Sequence, residues 1–193
     1  MRLHCATTNP GKLREFRLAL AGRFDVEALP GLAEIMPPEE TGATFEENAG
    51  LKALYYSKYS SEYLFVDDSG LEVDALGGAP GVYSARFAGT DAGDAANNRL
   101  LLERMQGVQN RTARFVCVVA LGRAGKLIGT FRGEVAGLIT DEPRGQNGFG
   151  YDPLFFYPPF GCTFGEAPLD RKMDVSHRAA ALRQLASALV SGC

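Results

Sequence analysis

Apolar residues recur along the chain at helical and at strand-like spacings, and the two kinds of spacing alternate. Residues 3–7 predict a first short strand. Phe16 and Leu20 then repeat at helical spacing. Asn9 is a typical helix N-cap, and Pro10 suits the first helical position because its missing N–H costs nothing there. The opening therefore predicts a strand, a tight turn and a helix.

Three further segments have the pattern of helices. Thr44 predicts the start of the second helix, since Glu47 three residues later completes a capping box. The buried face predicted for this helix contains Phe45, Ala49, Leu51, Leu54 and Tyr55. Residues 94–105 predict a third helix, and Ser176 caps a last helix whose apolar stripe begins at Ala179.

Strand patterns lie between these helices. They cover residues 24–29, 63–66, 114–121, 126–131 and 154–156. The strand at 63–66 runs into Asp67-Asp68-Ser69-Gly70, where we expect a break before the pattern resumes at Leu71. A similar resumption is expected near Val135. The mixture of hairpin-like and crossover-like connections predicts an α/β domain with a mixed sheet.

Length and composition agree with one globular domain. A chain of 193 residues can bury a substantial core, and we assign residues 1–193 to a single domain. The net charge of −3 is spread along the chain without a Lys/Arg block, so we expect no nucleic-acid partner. The longest apolar run, residues 115–121, is far too short to span a bilayer, so we expect no membrane partner.

The cysteines and the N-terminus bear on the compartment. Residues 1–12 lack the apolar segment of a signal peptide. The four cysteines stand far apart in sequence and no pair has metal-ligand spacing; they are Cys5, Cys117, Cys162 and Cys193. We interpret them as reduced thiols of a cytoplasmic protein.

The segment from Thr7 to Lys12 is the first candidate for chemistry. A helix N-terminus presents backbone N–H groups and a partial positive charge, which suit a phosphate. Lys12 adds a cation one turn into the helix. The alternative is an ordinary capped helix with a surface lysine, and the segment taken alone favours this alternative because capped helices are common.

Asp67 and Asp68, at the end of an apolar strand, are the second candidate. Adjacent carboxylates are expensive to bury unless their charge is balanced, and Mg²⁺ prefers such hard oxygen ligands. A polar turn is the alternative, but Phe65-Val66 should draw the carboxylates towards the core and slightly favours the metal. Glu39 and Glu40 would complete a metal site or be solvated loop charges, and without other support the second interpretation is favoured.

Two segments near the C-terminus complete the set. Residues 148–153 hold an aromatic ring that can stack on a nucleobase and a carboxylate that can read its edge, although Asn147-Gly148 is also a natural hairpin turn. Lys172 accompanies His177 and Arg178, which lie in the first turn of the last helix. Cations there oppose the helix dipole, which indicates ligand binding; the alternative is two exposed side chains at a helix start.

Taken in order, these segments resemble the inosine triphosphate pyrophosphatase family, the XTP/dITP diphosphatases. The resemblance runs nearly end to end. The matching segments are Thr7 to Lys12, Glu39 to Ala49, Asp67 to Leu71, Gly77 to Arg86, Phe149 to Asp152 and Ser176 to Arg178. Each is weak alone, but the ordered set is highly specific. Two positions depart from the pattern: Thr8 stands where close relatives often have glycine, and Arg171 where some relatives are acidic.

The resemblance implies a role for each segment. Asp68 would be the catalytic proton acceptor and a metal ligand, with Glu40 as the second metal ligand. The residues implied in substrate binding are Thr7, Thr8, Asn9, Pro10, Gly11, Lys12, Ser69, Phe149, Gly150, Tyr151, Asp152, Lys172, His177 and Arg178. Those up to Lys12 would bind the triphosphate, and those from Phe149 onward would hold the base and its 6-oxo group.

The resemblance also implies a fold and an activity. The fold is α/β, a two-lobed domain around a long mixed β-sheet with flanking helices and a central substrate cleft, usually in a homodimer. The activity is hydrolysis of the purine nucleoside triphosphates ITP, dITP and XTP to monophosphate and pyrophosphate, with Mg²⁺ as cofactor and Mn²⁺ as a substitute.

Two rival functions remain open on the sequence. A catalytically silent nucleotide-binding module would not need Asp68. An aspartyl-phosphate phosphatase would want two aspartates separated by one residue near the N-terminus, and this pattern is absent from the sequence.

Overall fold

Seven β-strands form one mixed sheet in the computed structural model, which describes residues 1–192. The strands are β1 (Arg2–Cys5), β2 (Asp25–Ala28), β3 (Leu64–Val73), β4 (Thr112–Arg123), β5 (Lys126–Ile139), β6 (Phe155–Tyr157) and β7 (Cys162–Thr163). They lie in the order β2-β1-β3-β4-β5-β6-β7. β1 pairs parallel with β2 and β3, whereas β6 pairs antiparallel with β5 and β7. The predicted α/β class with a mixed sheet is confirmed.

Three of the α-helices in residues 1–192 lie between strands in sequence, and two follow the last strand. They are α1 (Pro10–Leu20), α2 (Phe45–Tyr56), α3 (Asp94–Arg104), α4 (Leu169–Val175) and α5 (His177–Val190). A 3₁₀ helix at Gly81–Arg86 follows β3. The caps predicted at Asn9 and Thr44 are present, and Ser176 immediately precedes α5. The Asn9 side chain accepts the N–H groups of Gly11 and Lys12, and the Thr44 hydroxyl accepts that of Glu47. No helix within residues 1–192 combines the length and apolar character that a membrane span needs.

The predicted break in the third strand is wrong. β3 continues through Asp67 to Gly70 without interruption, and β5 likewise runs from Lys126 to Ile139 as one strand. Two buried carboxylates can stay inside a strand here because cationic side chains neutralise them, as the site geometry below shows. A Cβ at Gly70 would lie 2.4 Å from the Ser84 hydroxyl, so glycine lets the 3₁₀ helix pack directly on the strand.

The chain contains two compact units. Unit 1 contains residues 1–68, 117–133 and 177–192. Its core is apolar side chains of β1, β3 and β4 packed with those of α1 and α5, among them Leu3, Phe16, Phe65, Val119 and Leu182. Burying such side chains contributes roughly 1.5–3 kcal/mol each to stability.

The buried face of α2 in unit 1 differs from the prediction. Phe45, Ala49, Ala53 and Tyr56 are buried on it, together with Asn48, whereas Leu51 and Leu54 are exposed. The buried positions repeat at intervals of three and four residues, which is the period of a helix face. Apolar character alone misled the prediction, because polar Asn48 belongs to this face and two leucines do not.

Unit 2 contains residues 69–116 and 134–176. Its core is rich in aromatic side chains. Phe115, Phe155 and Phe164 pack with ring centroids 4.4–6.2 Å apart, beside Leu101 and Met105 of the α3 segment. The sequence did not predict helix α4 or strand β7. Both are short, and neither contains enough residues for a periodic pattern to emerge.

The cysteines of the described residues are free thiols. Cys5 and Cys117 are buried, and Cys162 is partly exposed. Burial raises the pKa of the Cys5 and Cys117 thiols to about 12. The expectation for Cys193 falls outside the described residues.

Candidate active site

Asp67 lies at the centre of a buried charge network in unit 1. Its Oδ1 accepts the Lys12 ammonium at 2.9 Å, and its Oδ2 accepts Nε and Nη2 of Arg178 at 3.3 and 3.2 Å. Arg178 also pairs through Nη1 with the buried carboxylate of Glu15. Two carboxylates and two cations therefore balance one another, which is what makes their burial affordable in this core.

The neighbouring carboxylate, Asp68, belongs to a second cluster built around a lysine of α2. The Lys52 ammonium donates to Asp68 Oδ1 at 2.6 Å and to the Asp67 carbonyl at 3.0 Å. It also lies 3.2 Å from Glu40 Oε1. Glu40 is partly buried whereas Glu39 is exposed, so of the two glutamates only Glu40 joins this cluster.

The two adjacent aspartates differ in acidity because their neighbours differ. Burial tends to raise the pKa of Asp67, but Lys12 and Arg178 outweigh it and hold that pKa well below its usual range. Burial raises the pKa of Asp68, and Lys52 lowers it only in part. Burial opposes the charge of Lys52, yet Asp68 and Glu40 raise the pKa of this lysine. Asp67 is thus a fixed anion, and Asp68 is the more basic carboxylate of the pair.

The donors around Lys52 fit a divalent cation only in part. Glu40 and Asp68 already direct their oxygens at one positive charge, that of Lys52, and hard carboxylate oxygens are what Mg²⁺ prefers. Within residues 1–192, no three His, Cys, Asp or Glu side chains converge as a complete metal site. Mg²⁺ commonly binds one or two carboxylates and takes its other ligands from water and substrate phosphates, so Glu40 and Asp68 match the share of ligands that a protein usually supplies.

The turn before α1 is more internally bonded than the sequence suggested. Asn9 Oδ1 takes the Gly11 and Lys12 N–H groups, and Thr7 Oγ1 accepts the Asn9 N–H at 3.2 Å. Most of the N–H groups expected to be open at this helix start are therefore engaged. Thr8 and Pro10 are exposed, and the Lys12 ammonium, held by Asp67, is the cation of this turn.

The predicted base-binding loop in unit 2 is held by an internal ion pair. Asp152 Oδ2 accepts the Phe149 N–H at 2.9 Å and the Lys172 ammonium at 2.6 Å. Lys172 also lies 5.2 Å from the centroid of the Phe149 ring. Tyr151 is buried and donates its hydroxyl to the Ser84 carbonyl at 2.8 Å. The loop conformation is thereby fixed around a partly exposed aromatic ring.

His177 and Arg178 are buried, so the alternative of two exposed side chains at a helix start is wrong. The close approach of α5 to β5 contributes to this burial. A Cβ on Gly133 would lie 2.1 Å from the His177 carbonyl oxygen and 2.6 Å from the Ala181 nitrogen. Only glycine at this strand position lets the first turn of α5 pack so closely.

The structure distributes the predicted site residues between the two units. Unit 1 holds residues 7–12, Glu40, Asp68, His177 and Arg178, and unit 2 holds Ser69, residues 149–152 and Lys172.

Sequence reasoning missed Lys52 and Glu15. Both lie on helices and belong to the charge clusters, and helical spacing is the signal that could have identified them. Lys52 lies four residues after buried Asn48, and Glu15 three after Lys12.

Fold and site together define an α/β protein with a buried carboxylate–lysine site. Comparison with known proteins then gives the family. The chain belongs to the Ham1 family, whose family model matches residues 3–188. The resemblance identified from the sequence is thereby confirmed.

Relatives of similar length support this assignment. The chain is 50% identical over 191 residues to a dITP/XTP pyrophosphatase of Exiguobacterium, covering 98% of this chain and 97% of that one. It is 51% identical over 201 residues to a dITP/XTP pyrophosphatase of Acidobacterium capsulatum, covering 98% of both.

Solved structures agree in fold. The Staphylococcus aureus Ham1 protein superposes with a TM-score of 0.88 at 38% identity, and a HAM1 protein from Coxiella burnetii with 0.88 at 36%. In both comparisons all of this chain and all of the other are covered.

Proposed function

We propose that this protein is a nucleoside triphosphate pyrophosphatase that hydrolyses ITP, dITP and XTP to the monophosphate and pyrophosphate. Full-length similarity to dITP/XTP pyrophosphatases supports the substrate class. The observation that carries the chemistry is the cluster in which the buried Asp68, of raised pKa, meets Lys52 and Glu40.

Asp68 is the proton acceptor in this proposal. Water attacks the α-phosphorus, its proton passes to Asp68, and the bond between the α-phosphorus and the bridging oxygen breaks to release pyrophosphate. The raised pKa favours Asp68 over Asp67, which the cations Lys12 and Arg178 keep as a weak base. Lys52 orients the Asp68 carboxylate through its 2.6 Å hydrogen bond.

Enzymes of this family generally depend on a divalent metal ion. We propose Mg²⁺, with Mn²⁺ as a substitute, bound by Asp68 and Glu40. Such an ion supplies neutralisation of the triphosphate charge. Lys52 lies between the same two carboxylates. When the ion binds, the Lys52 ammonium would either move away or share the carboxylates with the ion.

The triphosphate is assigned to the start of α1. The residues proposed to contact it are Thr7, Thr8, Asn9, Pro10, Gly11 and Lys12, with Ser69 beside Asp68. Because Asn9 Oδ1 occupies the nearest N–H groups, hydroxyl donors and the Lys12 ammonium carry most of this binding. Asp67 holds that ammonium in place at 2.9 Å.

The base is assigned to the Phe149 ring and to polar groups that recognise its 6-oxo oxygen. The residues proposed here are Phe149, Gly150, Tyr151, Asp152, Lys172, His177 and Arg178. A donor aimed at a 6-oxo group loses its partner when the base has a 6-amino group, as in ATP. Each unmatched buried polar group costs roughly 1–3 kcal/mol, so a few together reject ATP strongly.

A substrate panel tests the function. Purified protein is incubated with ITP, XTP, dITP, GTP or ATP, with Mg²⁺, with Mn²⁺ or with EDTA, and pyrophosphate is measured. We expect release from ITP, XTP and dITP that requires the metal and is far slower from ATP. Binding of ITP without pyrophosphate release would instead indicate a silent nucleotide-binding module.

The Arg178→Ala variant tests recognition of the base. We expect a higher KM for ITP and a smaller preference for ITP over ATP. An unchanged ITP/ATP ratio would count against Arg178 as a base donor. Because Arg178 also neutralises Glu15 and Asp67, thermal unfolding is measured alongside to separate lost recognition from lost stability.

We also propose that the chain is a single domain and acts in the cytoplasm as a homodimer. Free thiols at Cys5, Cys117 and Cys162 are consistent with a reducing compartment. In unit 1, Leu51, Leu54, Leu127 and Ile128 are exposed apolar side chains, which suit a subunit interface.

A further inference from the structure

Two side chains of helix α3 hold the backbone of Gly150, in the loop at residues 149–152, on both sides of its Cα atom. The Gly150 N–H donates to Asp94 Oδ2 at 2.6 Å, and the Gly150 carbonyl accepts from Asn98 Nδ2 at 3.0 Å. The donor and the acceptor of Gly150 are thus both fixed by α3. All of these residues belong to unit 2.

The two side chains are placed to act together. Asp94 is the first residue of α3 and Asn98 follows four residues later, so both lie on one face of the helix. The carboxylate of Asp94 is favoured at a helix N-terminus, and its bond to an N–H is charge-assisted and therefore stronger than a neutral one. Between them, Asn97 accepts from the Ala88 N–H and donates to the Ala85 carbonyl, which anchors α3 itself.

Gly150 is the residue whose backbone conformation the loop can least fix for itself. Gly150 has φ of +63°, a left-handed conformation that suits glycine, and a Cβ there would touch nothing within 4 Å. Phe149 and Tyr151 on either side are tied by Asp152 and by the Ser84 carbonyl. Without α3, rotation about the glycine would let the Phe149 ring turn.

We infer that Asp94 and Asn98 are positioning residues for base recognition: by holding the backbone N–H and C=O of Gly150 they fix the orientation in which Phe149 meets a purine. This assignment rests on the proposed function and adds to it two residues outside the segments matched above. Because they act on base binding through the loop and leave the reacting phosphorus untouched, they contribute equally to ground-state and transition-state binding. Their loss should therefore raise KM and spare kcat.

Kinetics of the full chain test the inference. Asp94→Ala and Asn98→Ala are assayed with ITP and Mg²⁺, and inhibition by pyrophosphate, which has no base, is measured on each variant. Asp91→Ala, which removes an exposed carboxylate three residues earlier, is the matched control. Asp94→Asn keeps an oxygen acceptor and should restore most of the wild-type KM.

We expect KM for ITP to rise about fivefold or more in each alanine variant, as loss of one hydrogen bond predicts. The value of kcat should change less than twofold and the inhibition constant of pyrophosphate should stay at the wild-type value. The double variant should show less than the product of the single effects, because both side chains hold the backbone of the same residue, Gly150. If Asn98→Ala does not fold, Asn98→Asp, which lacks the donor, carries the same test.

An unchanged KM in the alanine variants, with ITP hydrolysed normally by the wild type, would overturn this inference alone. A rise of KM and of the pyrophosphate constant together would show general loosening of the protein and would also overturn it. Failure of the wild type to release pyrophosphate from ITP would overturn the proposed function, and the inference with it.

Discussion

At the scale of single residues, neighbouring charges decide what each carboxylate does. Asp67 and Asp68 are adjacent, yet one faces Lys12 and Arg178 and the other faces Lys52 and Glu40. Opposite shifts of their pKa values follow, downward for Asp67 and upward for Asp68. The same residue type thus serves two purposes. Asp67 is a stable anion that holds cations, and Asp68 is the more basic carboxylate that takes a proton.

Replacing Asp68 by Asn should remove the proton acceptor and keep the side-chain shape. We expect kcat for ITP to fall about 10²-fold or more, on the usual scale of general-base loss. Asp25→Asn, at an exposed position of β2, is the control and should be unaffected. Near-normal turnover of Asp68→Asn, measured by pyrophosphate release, would remove Asp68 from this role.

Two substitutions of Asn9 separate its contribution to helix capping from its proposed contribution to triphosphate binding. Asn9→Ala deletes the cap of α1 and should lower the free energy of unfolding in urea by about 1 kcal/mol. Asn9→Asp keeps a capping oxygen, so we expect near wild-type stability. Its negative charge beside the proposed triphosphate site should nevertheless raise KM for ITP. Equal KM values for Asn9→Asp and the wild type would place the triphosphate elsewhere.

At the scale of elements, close packing of α5 on β5 fixes the helix start that bears His177 and Arg178. The contact depends on Gly133, where a Cβ would overlap the His177 carbonyl and the Ala181 nitrogen. Arg178 then reaches Asp67 of β3 and Glu15 of α1 from this helix. Three elements of unit 1 are therefore joined by one guanidinium.

The Gly133→Ala variant should displace the first turn of α5. Overpacking of this kind typically costs about 1–3 kcal/mol, and the backbone atoms in the way cannot rotate aside. We expect a lower melting temperature together with reduced ITP hydrolysis. Gly129→Ala in the same strand is the control, because its Cβ would meet only the Phe131 ring at 3.5 Å. Similar melting temperatures for the two variants would contradict the packing argument.

At the scale of the whole molecule, charge and reactive groups are distributed unevenly between core and surface. The buried anions Glu15 and Asp67 are matched by Lys12 and Arg178, whereas the net charge of −3 resides in the remaining side chains. Burial also keeps the thiols of Cys5 and Cys117 protonated, because a buried thiolate would lose its hydration. Reactivity of the two buried thiols, Cys5 and Cys117, therefore reports on unfolding of the core.

Thiol labelling at pH 8 measures this protection. In a Cys193→Ser background we expect fast reaction of one thiol, Cys162, which is partly exposed. Cys5 and Cys117 should react only in urea, because burial raises their pKa to about 12 and shields them from reagent. Three fast thiols in the native protein would show that the core opens readily.

The sequence by itself determined the local features of this protein. Periodicity and side-chain type reflect interactions between residues a few positions apart. They were enough to predict the caps at Asn9 and Thr44, the main strands and the mixed α/β class. The ordered motifs also indicated the family to which the chain belongs.

Only the tertiary structure decided which charges meet. Arg178 contacts Asp67 from 111 positions away, and Lys52 contacts Asp68 from sixteen. No spacing rule predicts such pairs, because they form when separate elements pack and expel water. The same packing kept β3 continuous where a break was expected, since paired charges can remain in a buried strand.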